Sequence, residues 1–211
     1  MKPPRIVLAD DHVLLTEALK SLLEPEFEVV GTANNGRALL RMAEELKPDL
    51  IVLDISMSLL NGLDAGRRLR SILPSAKLVY LTMNQGPDFV TQAMQIGALG
   101  YVLKSSSAVE LREAIRRSLR GLLYMSPTVR GLEALLGSPH RGRRKDKVAL
   151  TSRQREVLQL LAEGRSMKEA GYLLNISVST IAFHKYSMMR VFNIRSDAEL
   201  FKLAARTYVV A

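Results

Sequence analysis

The sequence predicts an α/β domain built on a parallel sheet, followed by a smaller all-α domain. Short apolar runs alternate strictly with helical patterns along the first 123 residues, as in sheets covered by helices on both faces. After residue 148, three capping-box sequences fall within fewer than fifty residues, which is typical of short helices joined by tight turns. We therefore expect a first domain over 1–123, a linker over 124–148 and a helical domain over 149–211.

Five strands and five helices are expected in the first domain. The strands are continuous apolar runs near 5–10, 28–33, 50–55, 77–83 and 100–104, since strands buried on both faces lack polar alternation. The helical patterns lie near 13–24, 36–46, 63–73, 87–96 and 107–121. Ser107 and Glu110 have the spacing of a capping box that opens the fifth helix.

Four helices are expected in the second domain, near 152–163, 167–174, 178–191 and 197–206. The capping boxes are Thr151 with Gln154, Ser166 with Glu169, and Ser196 with Glu199, and helix stops are expected at Gly164, Asn175 and Asn193. The linker is rich in turn-forming and basic residues and is expected to contain one short helix at 128–136.

Composition and charge exclude several classes of function. The chain has no cysteine, which excludes a disulfide framework, a thiol nucleophile and a thiolate zinc site. No apolar stretch has the length that spans a bilayer, and the first residues do not lead into a signal peptide. We therefore expect a cytoplasmic protein that has no membrane partner.

The net charge of +9 is concentrated in the second half of the chain. Residues 1–123 carry 15 Lys and Arg against 14 Asp and Glu, whereas residues 124–211 carry 15 against 7. This asymmetry favours a polyanionic partner for the C-terminal part, although a merely basic soluble domain would have the same charge.

Polar side chains follow four of the predicted strands, each at its downstream end. The acidic pair Asp10 and Asp11 follows the first strand, Asp54 the third, Thr82 the fourth and Lys104 the fifth. Because the carboxyl ends of parallel strands share one edge of the sheet, these groups are expected to meet there. A cluster of three carboxylates needs a cation, and oxygen ligands suit Mg²⁺. Taken singly, Asp11 is also compatible with a helix cap and Lys104 with a surface position.

These positions, in this order, resemble the receiver domain of bacterial response regulators. The resemblance covers residues 1–123 and includes Met57 and Gly62 in the loop after Asp54, with Ser58 where the family usually has Pro. It implies a flavodoxin-like (βα)5 fold with a five-stranded parallel sheet, and a phosphoryl group accepted on Asp54.

The resemblance also assigns a role to each residue of the cluster. It implies that Mg²⁺ is held by Asp11, Asp54 and the backbone carbonyl of Ser56, with Asp10 acting through water. Lys104 and Thr82 would contact the phosphoryl oxygens, and Tyr101 would exchange between outward and inward positions. Ser56 and Asn84 flank the site, and Met83 follows Thr82 where a small residue is frequent. His12 is interpreted as a partly exposed residue at a helix start.

The second domain is similar to the LuxR-type helix-turn-helix domain, which together with a receiver is the arrangement of the NarL/FixJ subfamily. The resemblance is carried by 150–164, 166–170, 174–177, 179–181, His184 and 198–200. It implies that the helix starting near Ser177 enters the major groove. Ile181, Met188, Val191 and Phe192 are expected to fill the core. The expected DNA contacts are Lys168, Ser177, Ser179, Thr180, Ala182, Phe183, Lys185, Tyr186 and Arg190.

One departure from the LuxR-type pattern concerns Ala182 and Phe183. Family members often carry Lys at the position of Ala182, so this chain offers an apolar contact there, for instance to a thymine methyl group. Packing of Phe183 and Tyr186 against neighbouring helices is the alternative interpretation.

The two resemblances together predict a two-component transcriptional regulator. Its partners would be a sensor histidine kinase, duplex DNA and, on phosphorylation, a second copy of the chain. It would catalyse only its own phosphorylation and dephosphorylation and is not expected to be an enzyme. Two alternatives are a transcription factor whose receiver no longer uses phosphate, and a stand-alone phosphotransfer or phosphatase enzyme.

Overall fold

The computed structural model describes residues 2–130 and 150–206, and the chain divides into two compact units, residues 1–140 and 141–211. The remainder of the expected linker, including most of the short helix at 128–136, lies outside the described residues; residues 127–130 are helical. Within the described ranges, no helix combines the length and the hydropathy needed to cross a bilayer.

The first unit is a parallel sheet with helices in the connections between its strands. The sheet contains β1 (Arg5–Ala9), β2 (Glu28–Ala33), β3 (Leu50–Leu53), β4 (Lys77–Thr82), β5 (Gly100–Leu103) and β6 (Tyr124–Met125), in the spatial order β2-β1-β3-β4-β5-β6. The helices are α1 (Val13–Leu23), α2 (Gly36–Leu46), α3 (Gly62–Ile72), α4 (Pro87–Ile96) and α5 (Ala108–Leu119). The predicted α/β class and all five predicted helices are therefore confirmed.

Alternate residues of the inner strands β1, β3, β4 and β5 enter one of two apolar cores. Val7, Ile51 and Tyr80 belong to one core, whereas Ile6, Val52 and Val79 belong to the other. This arrangement follows from the two-residue repeat of a strand, which sends neighbouring side chains to opposite faces. It explains why these four strands are mostly apolar in sequence, whereas the edge strand β2 has the exposed residues Glu28 and Thr32.

The predicted count of five strands is wrong, because residues 124–125 form a sixth. Tyr124 and Met125 were expected to begin the linker, but they pair in parallel with Gly100 and Tyr101 of β5. Tyr124 N–H donates to the Leu99 carbonyl at 2.8 Å, and Ser126 N–H donates to the Tyr101 carbonyl at 2.9 Å. In a five-stranded sheet this edge of β5 would have unpaired backbone groups, and β6 supplies their hydrogen-bond partners.

The described part of the second unit, residues 150–206, contains the four predicted helices: α6 (Ser152–Ala162), α7 (Met167–Leu174), α8 (Val178–Val191) and α9 (Asp197–Arg206). Complete capping boxes open α6 at Thr151 and α7 at Ser166. Gly164, Asn175 and Asn193 all have positive φ angles, near 80°, 53° and 52°, which end the helices before them.

The other two capping boxes are incomplete. Ser107 Oγ accepts from the Glu110 N–H, but the Glu110 carboxylate accepts from Ser126 Oγ at 2.6 Å. Ser196 Oγ accepts from the Glu199 N–H, while the Glu199 carboxylate accepts from the backbone of Arg195. In both cases the Ser caps its helix, and the glutamate bonds a different donor.

Candidate functional site: the carboxyl rim of the sheet and the recognition helix

Lys104 joins two buried carboxylates at the carboxyl end of the sheet. Its Nζ lies 2.7 Å from Asp54 Oδ2 and 2.7 Å from Asp10 Oδ2. The two acids are 3% and 4% exposed, and they follow the adjacent strands β3 and β1. Burial alone lowers the pKa of Lys104, but its hydrogen bonds to Asp10 and Asp54 outweigh this and raise the pKa. The rim thus holds a charged lysine between two acids.

Asp11 and His12 lie on the solvent side of this cluster. His12 is the N-terminal capping residue of α1, so the alternative role of Asp11 as that helix cap is wrong. His12 Nδ1 lies 3.0 Å from Asp10 Oδ1 and 3.1 Å from Asp11 Oδ1, and the imidazole is 71% exposed. Partial burial raises the pKa of Asp11, as do the neighbouring Asp10 and Asp54, while His12 lowers it. Burial and the two neighbouring acids therefore disfavour the charged form of Asp11 relative to its form in water.

Asn84 connects the two hydroxyl groups that flank Asp54. Its side-chain nitrogen donates to Thr82 Oγ1 and to Ser56 Oγ, both at 3.2 Å, and its backbone N–H lies 3.3 Å from Thr82 Oγ1. Tyr101 OH donates to the Asn84 carbonyl at 2.8 Å, and the Tyr101 side chain is buried. Of the two expected positions of Tyr101, the structure has the inward one. Thr82, Asn84 and Tyr101 therefore form one connected network.

The loop after Asp54 returns very close to it at Gly62. Gly62 N–H donates to the Ile55 carbonyl at 2.8 Å, and Tyr80 OH donates to the Gly62 carbonyl at 3.1 Å. A Cβ at this position would lie 1.9 Å from the Asp54 carbonyl oxygen. Only glycine permits this approach, so Gly62 fixes the backbone that carries the Asp54 carboxylate.

In the second unit, α7, a tight turn and α8 form the expected helix-turn-helix. Ile181 and Met188 of α8 are fully buried, as predicted, and Phe192 is partly buried. Val191 was also expected in the core, but it is 48% exposed. Ile181, Met188 and Phe192 are spaced seven and four residues apart and share one face of the helix. Val191 is the last residue of the helix and lies beside this face.

Four of the nine expected DNA contacts, Ser179, Phe183, Tyr186 and Arg190, lie on the opposite face of α8 and are exposed. Ser177 caps the helix and accepts from the Thr180 N–H at 3.1 Å, and its hydroxyl contacts those of Ser179 and Thr180. Phe183 and Tyr186 are 67% and 56% exposed, so they do not pack into the core. Ala182 beside them is partly buried.

The expected basic contacts differ in their surroundings. Lys168 on α7 and Arg190 on α8 are exposed. Lys185 is only 14% exposed, and its Nζ lies 2.7 Å from Asp197 Oδ1 at the start of α9. The ammonium also lies 5.9 Å from the centre of the Tyr186 ring. This pairing of Lys185 was missed in the sequence, because it joins two helices whose relative placement the sequence does not specify.

Comparisons with known families match both units. The response regulator receiver domain matches residues 6–116, and the domain described as bacterial regulatory proteins of the luxR family matches residues 148–204.

Similar proteins match over almost their full length. The transcriptional regulatory protein LiaR of Bacillus subtilis (strain 168) is 32% identical over 209 residues, which cover 98% of this chain and 99% of LiaR. The nitrate/nitrite response regulator protein NarL of Escherichia coli (strain K12) is 33% identical over 94% of this chain and 93% of NarL. Among solved structures, an RcsB–DNA complex has a TM-score of 0.61 at 25% identity, covering 98% of this chain and 99% of that one. The chain therefore belongs to the NarL/FixJ-type response regulators and is a two-component transcriptional regulator with a receiver domain and a LuxR-type DNA-binding domain.

Proposed function

We propose that Asp54 accepts a phosphoryl group from a phosphohistidine of a sensor histidine kinase. The observation that carries this proposal is the position of Lys104 Nζ, 2.7 Å from both Asp54 and Asp10 at one rim of the sheet. A charged lysine at this point supplies a counter-charge where phosphoryl oxygens would lie. The receiver family match supports the same assignment.

The reaction is a displacement at phosphorus. A carboxylate oxygen of Asp54 attacks the phosphorus of the phosphohistidine, a P–O bond forms and the P–N bond breaks. The imidazole leaves with the bonding electron pair and takes up a proton from solvent. Since the transition state is loose, positioning and neutralisation of charge supply most of the rate gain. The protein changes only its own aspartate, by phosphorylation and later hydrolysis, so we do not propose an external substrate.

The donor set at the rim fits a magnesium ion. Asp10, Asp11 and Asp54 offer only oxygen ligands, which is the preference of this hard cation. Burial first, and then the charges of Asp10 and Asp54, raise the pKa of Asp11, and a cation would favour its charged form. Asp11, Asp54 and the Ser56 carbonyl would hold the ion directly. Asp10, which is bonded to His12 and Lys104, would contact the ion through water. When bound, the ion neutralises charge on the phosphoryl oxygens.

The network around Asn84 would convert phosphorylation into a change at the surface. Thr82 Oγ1 now accepts from Asn84, and its own proton is available to a phosphoryl oxygen. A stronger, charge-assisted bond to that oxygen would shift Thr82 and the loop that follows β4. Because Tyr101 OH is bonded to the Asn84 carbonyl, its position would depend on the same loop.

The helical unit would bind duplex DNA through α8, with the phosphorylated protein acting as a homodimer. The +8 charge of residues 124–211 and the luxR-family match support this role, and the RcsB relative was solved with DNA. Two linked helix-turn-helix units on a two-fold site gain affinity from effective concentration. A DNA partner inside a bacterial cell would place the protein in the cytoplasm.

The test is intact mass after incubation with acetyl phosphate and Mg²⁺. Wild type is expected to gain one phosphoryl group, Asp54→Asn none, and the matched control Asp88→Asn, an exposed acid on α4, the same as wild type. A gain in Asp54→Asn that maps to another residue would refute the assignment of Asp54.

A receiver that works without phosphate would give the opposite result. Unphosphorylated protein and Asp54→Asn would then bind a cognate duplex as tightly as phosphorylated wild type.

A further inference from the structure

We propose that Phe183 recognises the 5-methyl group of a pyrimidine, thymine in ordinary DNA, in the major groove. This inference rests on the proposed DNA-binding role of α8 and specifies the chemistry that it would recognise.

The solvent-facing side of α8 is a stripe of four residues that we call the α8 stripe: Ser179, Phe183, Tyr186 and Arg190. Their spacing of four, three and four residues places them on one face of the helix. All four are exposed, whereas Ile181 and Met188 on the opposite face are fully buried. The surface that α8 would present to a groove is therefore this stripe.

The middle of the α8 stripe carries no cation. Lys185 is bonded to Asp197 at 2.7 Å and is only 14% exposed, and Arg190 lies in the last turn of the helix. The stripe contains a phenyl ring and a phenol ring at its centre. Phe183 contacts the His184 ring, with 5.6 Å between the centroids, but it remains 67% exposed, so an apolar partner could remove this surface from water.

The major groove offers one apolar group to such a ring. Its base edges present hydrogen-bond donors and acceptors, and the only methyl group is that on C5 of thymine. Phe183 has no hydrogen-bonding atom, so it cannot distinguish bases by donors and acceptors. Phe183 can therefore make a base-specific interaction only by contact with the methyl group. The neighbouring Tyr186 and Ser179 retain hydroxyl groups for polar edges or phosphates.

The test compares duplexes that differ only in this methyl group. A duplex is first selected from a random library with the full-length phosphorylated protein, and each thymine is then replaced singly by deoxyuridine. For wild type, one replacement in each half-site is expected to weaken binding about five-fold, the low end of a base-specific contact. Phe183→Ala should bind the thymine duplex more weakly and show no difference between thymine and deoxyuridine. A further pair of duplexes carries cytosine or 5-methylcytosine at the same position. Because these bases differ only in the methyl group, wild type should bind the 5-methylcytosine duplex more tightly.

Phe201→Ala is the matched control, since Phe201 is also an exposed phenylalanine but lies on α9. This variant should keep the wild-type discrimination. If wild type binds the duplex with no loss at any deoxyuridine, or if Phe183→Ala keeps the discrimination, the proposal is refuted while DNA binding stands. A loss of self-association in Phe183→Ala with unchanged discrimination would instead assign the ring to a protein contact. If no duplex is bound at low salt, the DNA-binding role itself fails and this inference fails with it.

Discussion

At the scale of single residues, the charge balance of the rim depends on Lys104. One ammonium group is bonded to two buried acids, and the lysine side chain is 9% exposed. Removal of one member of a buried ionic group leaves the others without compensation, which typically costs more than the pair contributes. The lysine therefore has a structural role in addition to the proposed contact with phosphate.

We expect Lys104→Met to lower the unfolding free energy of the first unit by about 3 kcal/mol in EDTA. Denaturant titration followed by circular dichroism will measure this. Lys20→Met is the control, because the surface pair of Lys20 with Glu24 at 3.7 Å contributes at most about 1 kcal/mol. Equal effects of the two substitutions would contradict the structural role of Lys104.

The pH dependence of this contribution follows from the raised pKa of Lys104. A basic group with a raised pKa in the folded state stabilises the protein at pH values below its unfolded pKa of about 10.4. The contribution is lost as pH rises through the folded pKa. The difference between wild type and Lys104→Met should therefore stay constant from about pH 7 to 9.

At the scale of elements, the loop from β3 to α3 is held by the backbone contact at Gly62. We expect Gly62→Ala to destabilise the first unit by about 2 kcal/mol and to slow phosphoryl uptake, because the new methyl group meets backbone atoms of Asp54 and Ile55. Thermal unfolding and the acetyl phosphate assay will measure both effects. In the control Gly86→Ala the nearest atom is a ring carbon of Phe89 at 3.2 Å, which can move. An unaffected Gly62→Ala protein would show that the loop is not fixed there.

The capping box at the start of α7 makes the second unit sensitive to acid. Hydrogen bonds from the Ser166 hydroxyl and backbone N–H lower the pKa of Glu169. An acid with a lowered pKa stabilises the fold above its unfolded pKa, and this is lost as pH falls through the folded pKa. Ser166→Ala should lower the Tm at pH 7. It should also make the Tm fall less steeply as the pH is lowered from about 5 to 3. In a Glu169→Gln background Ser166→Ala should leave the acid dependence unchanged.

The elements were largely predictable, because their signals are local. Capping residues and positive-φ stops at Gly164, Asn175 and Asn193 specify helix ends within a few residues of sequence. Strand ends specify the rim positions of Asp54 and Lys104 for the same reason. The two-residue strand β6 was not predictable, since Tyr124 and Met125 are too few to form a pattern and pair only because β5 offers a free edge.

The contacts that were missed are those between distant elements. Lys185 pairs with Asp197, and the Glu110 carboxylate bonds Ser126 instead of completing its capping box. The sequence does not specify whether Phe183 is exposed, because an aromatic residue on an amphipathic helix has the same sequence pattern whether or not a neighbour covers it. Such contacts depend on how helices pack, which periodicity does not specify.

At the scale of the whole molecule, phosphorylation is expected to act on DNA binding through Thr82. We expect Thr82→Ala to accept phosphate on Asp54 but to lose most of the gain in DNA affinity, which we expect to be about ten-fold or more in wild type. Fluorescence anisotropy on the selected duplex, with elution volume, will measure affinity and oligomeric state. Thr91→Ala, an exposed threonine on α4, is the control. If Thr82→Ala keeps the full gain, the signal does not pass through the Thr82 hydroxyl.

The pairing of β6 with β5 has a mechanical consequence. Ser126 directly follows β6, and its N–H donates to the Tyr101 carbonyl of β5 at 2.9 Å. A tensile load applied to the chain after Ser126 therefore passes from β6 to β5 before it reaches the other four strands. The strand under load is the one that ends next to Lys104. A tensile load on the chain after β6 would therefore act on β5 near Tyr101, and a phosphoryl group on Asp54 would act on the other end of β5 through Lys104.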